Sequence, residues 1–345
     1  MSELIPIVVC CILGLMAQGA TKHRWLEWLL RLFIAFIALL SGLTFLMPAT
    51  SASSAWVYQV TNWMAVSCAL LLFLPFRKIL SRVLTVVDGV ASLRVLTGPL
   101  RHKMKVWASV IDRRIFVPTS IPHMVGAFIY VTTFGLYLAN TDFSSFDAPA
   151  IPLPSMPLPI DQLFSYNGLG LVLVSLCGAG MWVARNWGQL FSRLGWEKPT
   201  TTQVGIGLGL VAFTFAFDLV WSLFTHDRAG NMASQISGYN SGTFAATGLG
   251  PAIVLALATA LCAGIGEETL IRGCLQPALG IVPAAFLHGI LHAQFAHAPI
   301  LIIHVALWSC CMGLVRRFTN TTTTIIGHAG FNLVTTFLFA FNPPG

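Results

Sequence analysis

The stretch GPAIVLALATALCAGIGEETLIRGCL, residues 250–275, decides what kind of molecule this is. From Gly250 to Gly266 it carries no charged side chain, and small or aliphatic residues fill every side of the helix it would form. A helix with no polar face must be surrounded by protein or lipid. Glu267 and Glu268 then arrive together, with Arg272 four residues after Glu268. A charge at bilayer depth costs about 2.5–3.5 kcal/mol on insertion scales, so charges placed there are functional candidates by default.

The rest of the chain repeats the first half of that message. Of 345 residues only 9% are charged, against roughly 25% in an average soluble protein, and 56% are hydrophobic. Mean hydropathy is +0.79. So few charges cannot clothe a water-facing surface, which excludes the two soluble domains that this length would otherwise suggest. Apolar runs near the roughly 20 residues a bilayer requires recur at 4–20, 26–47, 56–76, 121–140, 166–184, 203–224, 250–268, 281–296, 299–315 and 321–341. They predict an all-α, polytopic membrane helical bundle of about ten transmembrane helices, with no internal repeat.

The formal net charge is +7, from 19 Lys+Arg and 12 Asp+Glu. Its placement between apolar runs argues for membrane topology and against nucleic acid. Lys22 and Arg24 follow the first run, and nine basic residues from Arg77 to Arg114 follow the third. Arg185, Arg193 and Lys198 follow the fifth, and Arg316 and Arg317 the ninth. Alternating spans put all of them on one side, leaving Arg228 and the Pro-rich loop with Asp142, Asp147 and Asp161 on the other. The basic side is cytoplasmic by the positive-inside rule, with both termini outside. The expected setting is a bacterial plasma membrane with lipid as the surrounding partner.

Segment 77–115 mixes apolar and basic residues, as an interfacial helix, a topology-setting linker or a lipid- or partner-binding surface would. The expected division is an accessory unit at 1–115 and a core at 116–345. The eight cysteines lack paired spacing and read as small apolar residues. The first run has no basic segment before it and reads as a retained helix.

Polar groups inside the spans are few. Glu27 and Arg31 lie near the end of theirs and can snorkel. Asp218 can cap, pair with Arg228 or line a cavity, and His297 and His304 read as hydrogen-bonded core groups. Glu267, Glu268, Arg272, His288, His292, His328 and Asn332 are another matter: three of the last four apolar segments each supply members of one chemical set. Glu268 and Arg272 stack at i,i+4, while Glu267 is turned by about 100°. His288 shares a face with His292, and His328 with Asn332. A glutamate among imidazoles can take a proton from water, and N–H donors can hold an oxyanion. Two histidines and a glutamate could also bind zinc, although HExxH is absent. No serine nucleophile stands beside these residues in sequence.

The stretch Glu267-Glu268-Thr269-Leu270-Ile271-Arg272 resembles the EExxxR motif of the CPBP family, the CAAX protease and bacteriocin-processing (ABI) intramembrane proteases. FxxxH is matched in part, with His288 at the Phe position and His292 at the histidine. His328 and Asn332 match HxxxN in full. Arg193 to Pro199 resembles the segment leading into the family core. The likeness covers 262–335 well and 193–345 loosely.

The resemblance implies an all-helical endopeptidase similar to the Ras-converting CAAX prenyl protease, with its site open to the cytoplasm. Glu267 would activate water, His292 and His328 would position it, and Asn332 would help hold the oxyanion. Glu268 and Arg272 would support the site, and His288 could pack, ligate or shift protonation. The family has been described both as metalloprotease and as glutamate-dependent without essential metal. No cofactor is therefore the first expectation and zinc on Glu267, His292 and His328 the alternative. The substrate would be a peptide or membrane-anchored, prenylated-type protein. The competing readings are a non-catalytic scaffold or bacteriocin-immunity protein of the same fold, and a proton-relay transporter.

Overall fold

The computed structural model describes residues 4–46, 51–91, 115–145, 151–152, 154, 159–225, 232–246 and 248–341. Among them there is no strand, an isolated bridge between Met181 and Arg185 aside. The helices are α1 (Leu4–Gly19), α2 (Arg24–Gly42), α3 (Ala52–Leu71), α4 (Leu74–Ala91) and α5 (Ile121–Ala139). They continue as α6 (Ile160–Gly178), α7 (Trp187–Leu194), α8 (Thr201–Thr225), α9 (Met232–Thr243) and α10 (Leu249–Leu279). The last three are α11 (Ile281–Leu291), α12 (Pro299–Phe318) and α13 (Thr321–Phe341).

Each apolar run forms a helix over most of its described length. Among the described residues seven helices have the length and composition to cross a membrane, or eight if α3 and α4 form one broken span. Those two meet at 105°. The chain turns at Leu72–Phe73, and Pro75, which has no N–H to continue the α3 ladder, stands in the first turn of α4. Helix α1 has 16 residues and α11 only 11. At 1.5 Å per residue α11 covers about 16 Å, half a bilayer, and irregular backbone follows it from His292. The polar helix α9 was not expected. Of the predicted interfacial segment, α4 is described, while residues 92–114, with Arg94, Arg101, Lys103, Lys105, Arg113 and Arg114, lie outside the described residues, as do Asp147 and Arg228.

The run predicted to stop at 268 continues to Leu279. Its charges do not end it, because Thr269–Leu275 widens into a π-helical turn and Arg272 folds inward onto Glu268. The glutamates thus lie about 18 Å from the end of α10, not beside it.

The described basic loops gather at one end of the bundle. Lys22 Nζ donates to the Val183 carbonyl at 2.8 Å, and Arg193 Nη1 to that of Gly273 at 2.9 Å. The Thr321 amide donates to the Gly195 carbonyl at 3.1 Å. Asp88 on α4 accepts from the Ile281 amide at 3.1 Å and pairs with Arg317, which ties the first part of the chain to the second. At the other end Trp56 donates to the Leu138 carbonyl at 3.1 Å, the Asp142 amide to that of Ala296 at 2.8 Å, and the Ile151 amide to Gln235 on α9 at 2.9 Å.

Candidate active site

Helix α10 packs tightly against both α13 and α6 beside the site, and small residues permit it. A Cβ on Gly264 would come within 2.7 Å of the Ala329 side chain, and one on Gly266 would overlap the Asn167 carbonyl oxygen. Helix contact at this range, between small residues, is how membrane helices gain packing energy where lipid offers no hydrophobic drive. Asn167 belongs to a second π-helical stretch, Leu163–Gly170 of α6. Two π turns therefore flank the glutamates, a placement common at functional sites.

Around them a ring of contacts closes across four helices. Glu267 Oε2 lies 2.9 Å from His288 Nε2, and His288 Nδ1 lies 3.1 Å from Ser309 Oγ on α12. Arg272 Nη2 donates to the same Ser309 oxygen at 3.0 Å. Arg272 Nε is 3.3 Å from Glu268 Oε2, and Glu268 Oε1 is 3.1 Å from His328 Nδ1. His328 Nε2 returns toward Glu267 Oε2 at 4.0 Å.

The partners assign the tautomers. An ionised carboxylate only accepts, so His288 Nε2 donates to Glu267 and His328 Nδ1 donates to Glu268. In neutral His288 the Nδ1 lone pair then accepts from the Ser309 hydroxyl, whose oxygen is already receiving Arg272. His292 is the first non-helical residue after α11, and its Nδ1 donates to the otherwise unpaired His288 carbonyl at 2.9 Å. His292 and His328 are left with Nε2 lone pairs. The 4.0 Å between His328 Nε2 and Glu267 is too long for a hydrogen bond and right for an intervening water.

Burial divides the set. Glu268 and Arg272 are fully enclosed, whereas the Glu267 side chain keeps 16% of its surface open. His292, His328 and Asn332 line a cavity of about 830 Å³, at the upper end of small-ligand sites. All seven residues singled out in the sequence are thus gathered in one neighbourhood. His297 is not a core group: it is exposed on the surface, 3.9 Å from Asp142. His304 pairs with Asp218 at 3.1 Å on the cavity wall, against the rings of Phe217 and Trp221.

Sequence reading missed Ser309 and Trp308. Trp308 places its ring 5.0 Å from that of His328 and 5.7 Å from that of His288, and its Nε1 donates to Thr214 at 3.0 Å. Ser309 completes a Glu267–His288–Ser309 alignment that looks like a nucleophile triad. It is fully buried and already receives an arginine N–H, so it cannot reach a substrate carbonyl. A serine in an apolar helix gives no signal by itself, since it can bond its own preceding turn.

Ligand atoms of Glu267, His288 and His292 lie within 4.8 Å of one another. Two imidazoles and a carboxylate with an open position suit zinc by donor chemistry. This clustered set has His288 where the sequence reading had His328.

Residues 249–334 match the family described as type II CAAX prenyl endopeptidase Rce1-like. That segment is an Rce1-like domain, consistent with the CPBP family of CAAX proteases, and it contains every residue of the ring. No curated protein and no solved structure matches the chain.

Proposed function

We propose that this chain, with its Rce1-like domain at 249–334, is an intramembrane endopeptidase that hydrolyses peptide bonds with a water activated by Glu267. The observation that carries the reading is the ring itself. With His292 beside it, it places one partly open carboxylate and two imidazole lone pairs next to a large cavity, with the Glu268–Arg272 pair enclosed behind them. A pure scaffold has no use for so costly an arrangement.

In this mechanism a water sits between Glu267 and His328 Nε2 and gives its proton to Glu267 as its oxygen attacks the scissile carbonyl. His328 Nε2 accepts the second hydrogen and fixes the water's orientation, while His292 lines the cavity beside it. The carboxamide of Asn332, one turn beyond His328, donates to the resulting oxyanion. Glu267 then returns the proton to the leaving amine as the C–N bond breaks. His288 holds Glu267, and Glu268 with Arg272 holds His328, so these act as positioning residues. If zinc binds, Glu267, His288 and His292 would hold it and it would supply Lewis-acid polarisation of the water. The substrate class is a peptide or membrane-anchored protein in a bacterial plasma membrane, with the basic end in the cytoplasm.

Comparative mass spectrometry of membrane and secreted peptides tests this, using wild type, Glu267→Gln and His328→Ala at matched membrane levels. Fragments present only with wild type are expected, with a loss of about 10²–10⁴-fold in the variants. Identical peptides in all three would refute it. The scaffold reading would then be pursued by neutralising Arg101, Lys103, Lys105, Arg113 and Arg114. Chelation that leaves cleavage intact is expected, and loss restored by zinc would select the metal reading.

A further inference from the structure

We propose that the substrate reaches this site from the face opposite the basic end, through the cavity between α8, α12 and α13. The inference rests on the peptidase reading for its substrate, and on geometry alone for its route. It replaces the expectation of access from the basic side.

Toward the basic end the site is sealed. Thr321 Oγ1 donates to the Leu194 carbonyl at 2.6 Å, and Trp196 Nε1 to Thr269 Oγ1 at 3.0 Å. Leu194, Thr269, Thr321 and Thr324 are all fully buried. The amphipathic helix α7 and residues 193–196 therefore form a plug beneath the glutamates, pinned further by Arg193 on the Gly273 carbonyl.

In the other direction the protein is hollow. The cavity runs from His292 and His328 along α13 to Phe339, along α12 to Leu301 and along α8 to its last residue, Thr225. From His328 to Phe339 is about 16 Å of helix rise. Helix α9 contributes Tyr239 and Asn240 at the far rim. All of these rim residues lie at the end where Asp142 meets Ala296, away from the described basic loops. By the positive-inside rule that end faces out of the cytoplasm. The wall is aromatic, with Phe215, Trp221 and Phe331, and carries the Asp218–His304 pair. It fits an extended polypeptide with apolar side chains, presented at the outer face: an exported peptide or the outer stem of an anchored protein, not a cytosolic tail.

The test is cysteine labelling with a membrane-impermeant maleimide, in right-side-out and in inverted vesicles, with labelled peptides located by mass spectrometry against wild type. Ala263→Cys, one turn before Glu267, reports the depth of the cavity, and Thr335→Cys, inside the cavity on α13 between His328 and the Phe339 rim, provides an independent second probe. Ser222→Cys marks the far rim and Lys198→Cys the basic end. We expect Ala263→Cys, Thr335→Cys and Ser222→Cys to react in right-side-out vesicles, and Lys198→Cys only in inverted ones. Reaction of the two deep probes only in inverted vesicles would overturn the proposal. So would silence of both deep probes while Ser222→Cys reacts. Labelling does not need turnover: the expected pattern alongside unchanged peptides in Glu267→Gln would keep the route and remove the peptidase.

Discussion

Ser309 shows how one hydroxyl can set a site's protonation pattern without touching substrate. It receives Arg272 and donates to His288, which in turn presents Nε2–H to Glu267. Ser309→Ala removes two hydrogen bonds, the neutral one to His288, worth about 0.5–1.5 kcal/mol, and the one from the Arg272 guanidinium, worth about 1.5–3 kcal/mol. We expect kcat to fall by up to about tenfold with KM unchanged, whereas Ser309→Cys, which keeps a weak donor, should recover part of it. The ion pair beneath is a different kind of interaction. Glu268 and Arg272 are both fully buried, and removing one partner strands the other's charge at a cost of about 3–5 kcal/mol. Arg272→Met should therefore lower thermal stability in detergent sharply. The double variant Glu268→Gln with Arg272→Met should be more stable than Arg272→Met alone, because no unpaired charge remains. Additive losses would show that the two do not act as a pair.

At the scale of the element, the π turn after Glu268 and the glycines before it do most of the positioning. Gly266 meets the Asn167 backbone so closely that any Cβ would overlap its carbonyl oxygen. Gly266→Ala must push α6 away from α10, and overpacking of this kind costs about 1–3 kcal/mol or more. We expect it to lower both thermal stability and cleavage. Gly209→Ala, in the interior of α8 with no heavy atom within 4 Å of its Cβ, should be neutral or stabilising by up to about 1 kcal/mol through helix propensity. Equal behaviour of the two variants would contradict the close α6–α10 approach. The motif spacings were legible in this part of the chain, since i,i+4 pairing follows from helix geometry alone. The π turns were not. Their hydrogen-bond shift depends on what packs against the helix, here α6 on one side and α13 on the other.

At the scale of the whole molecule, Asp88 fastens the early helices to the late ones. It accepts from the Ile281 amide and pairs with Arg317, while itself only 2% exposed. Asp88→Ala would leave the buried amide unsatisfied and Arg317 unpaired, a loss of about 1–3 kcal/mol. Thermal unfolding should register it, and Asp88→Asn, which can still accept from the amide, should lose less.

Sequence by itself determined the all-helical membrane class, the ten apolar runs, the gathering of basic loops at one end and the seven polar residues of the site. Each follows from a local cost: charge in lipid, backbone polarity in lipid, or side-chain spacing along one helix. Tertiary structure alone decided which runs are long enough to span, that Ser309 joins the ring with Trp308 packed against its imidazoles, that His288 completes the set of three clustered ligand atoms, and that the cavity points away from the basic end. Those outcomes depend on contacts between residues far apart in the chain, and no single helix carries the information about which neighbour its polar face will meet.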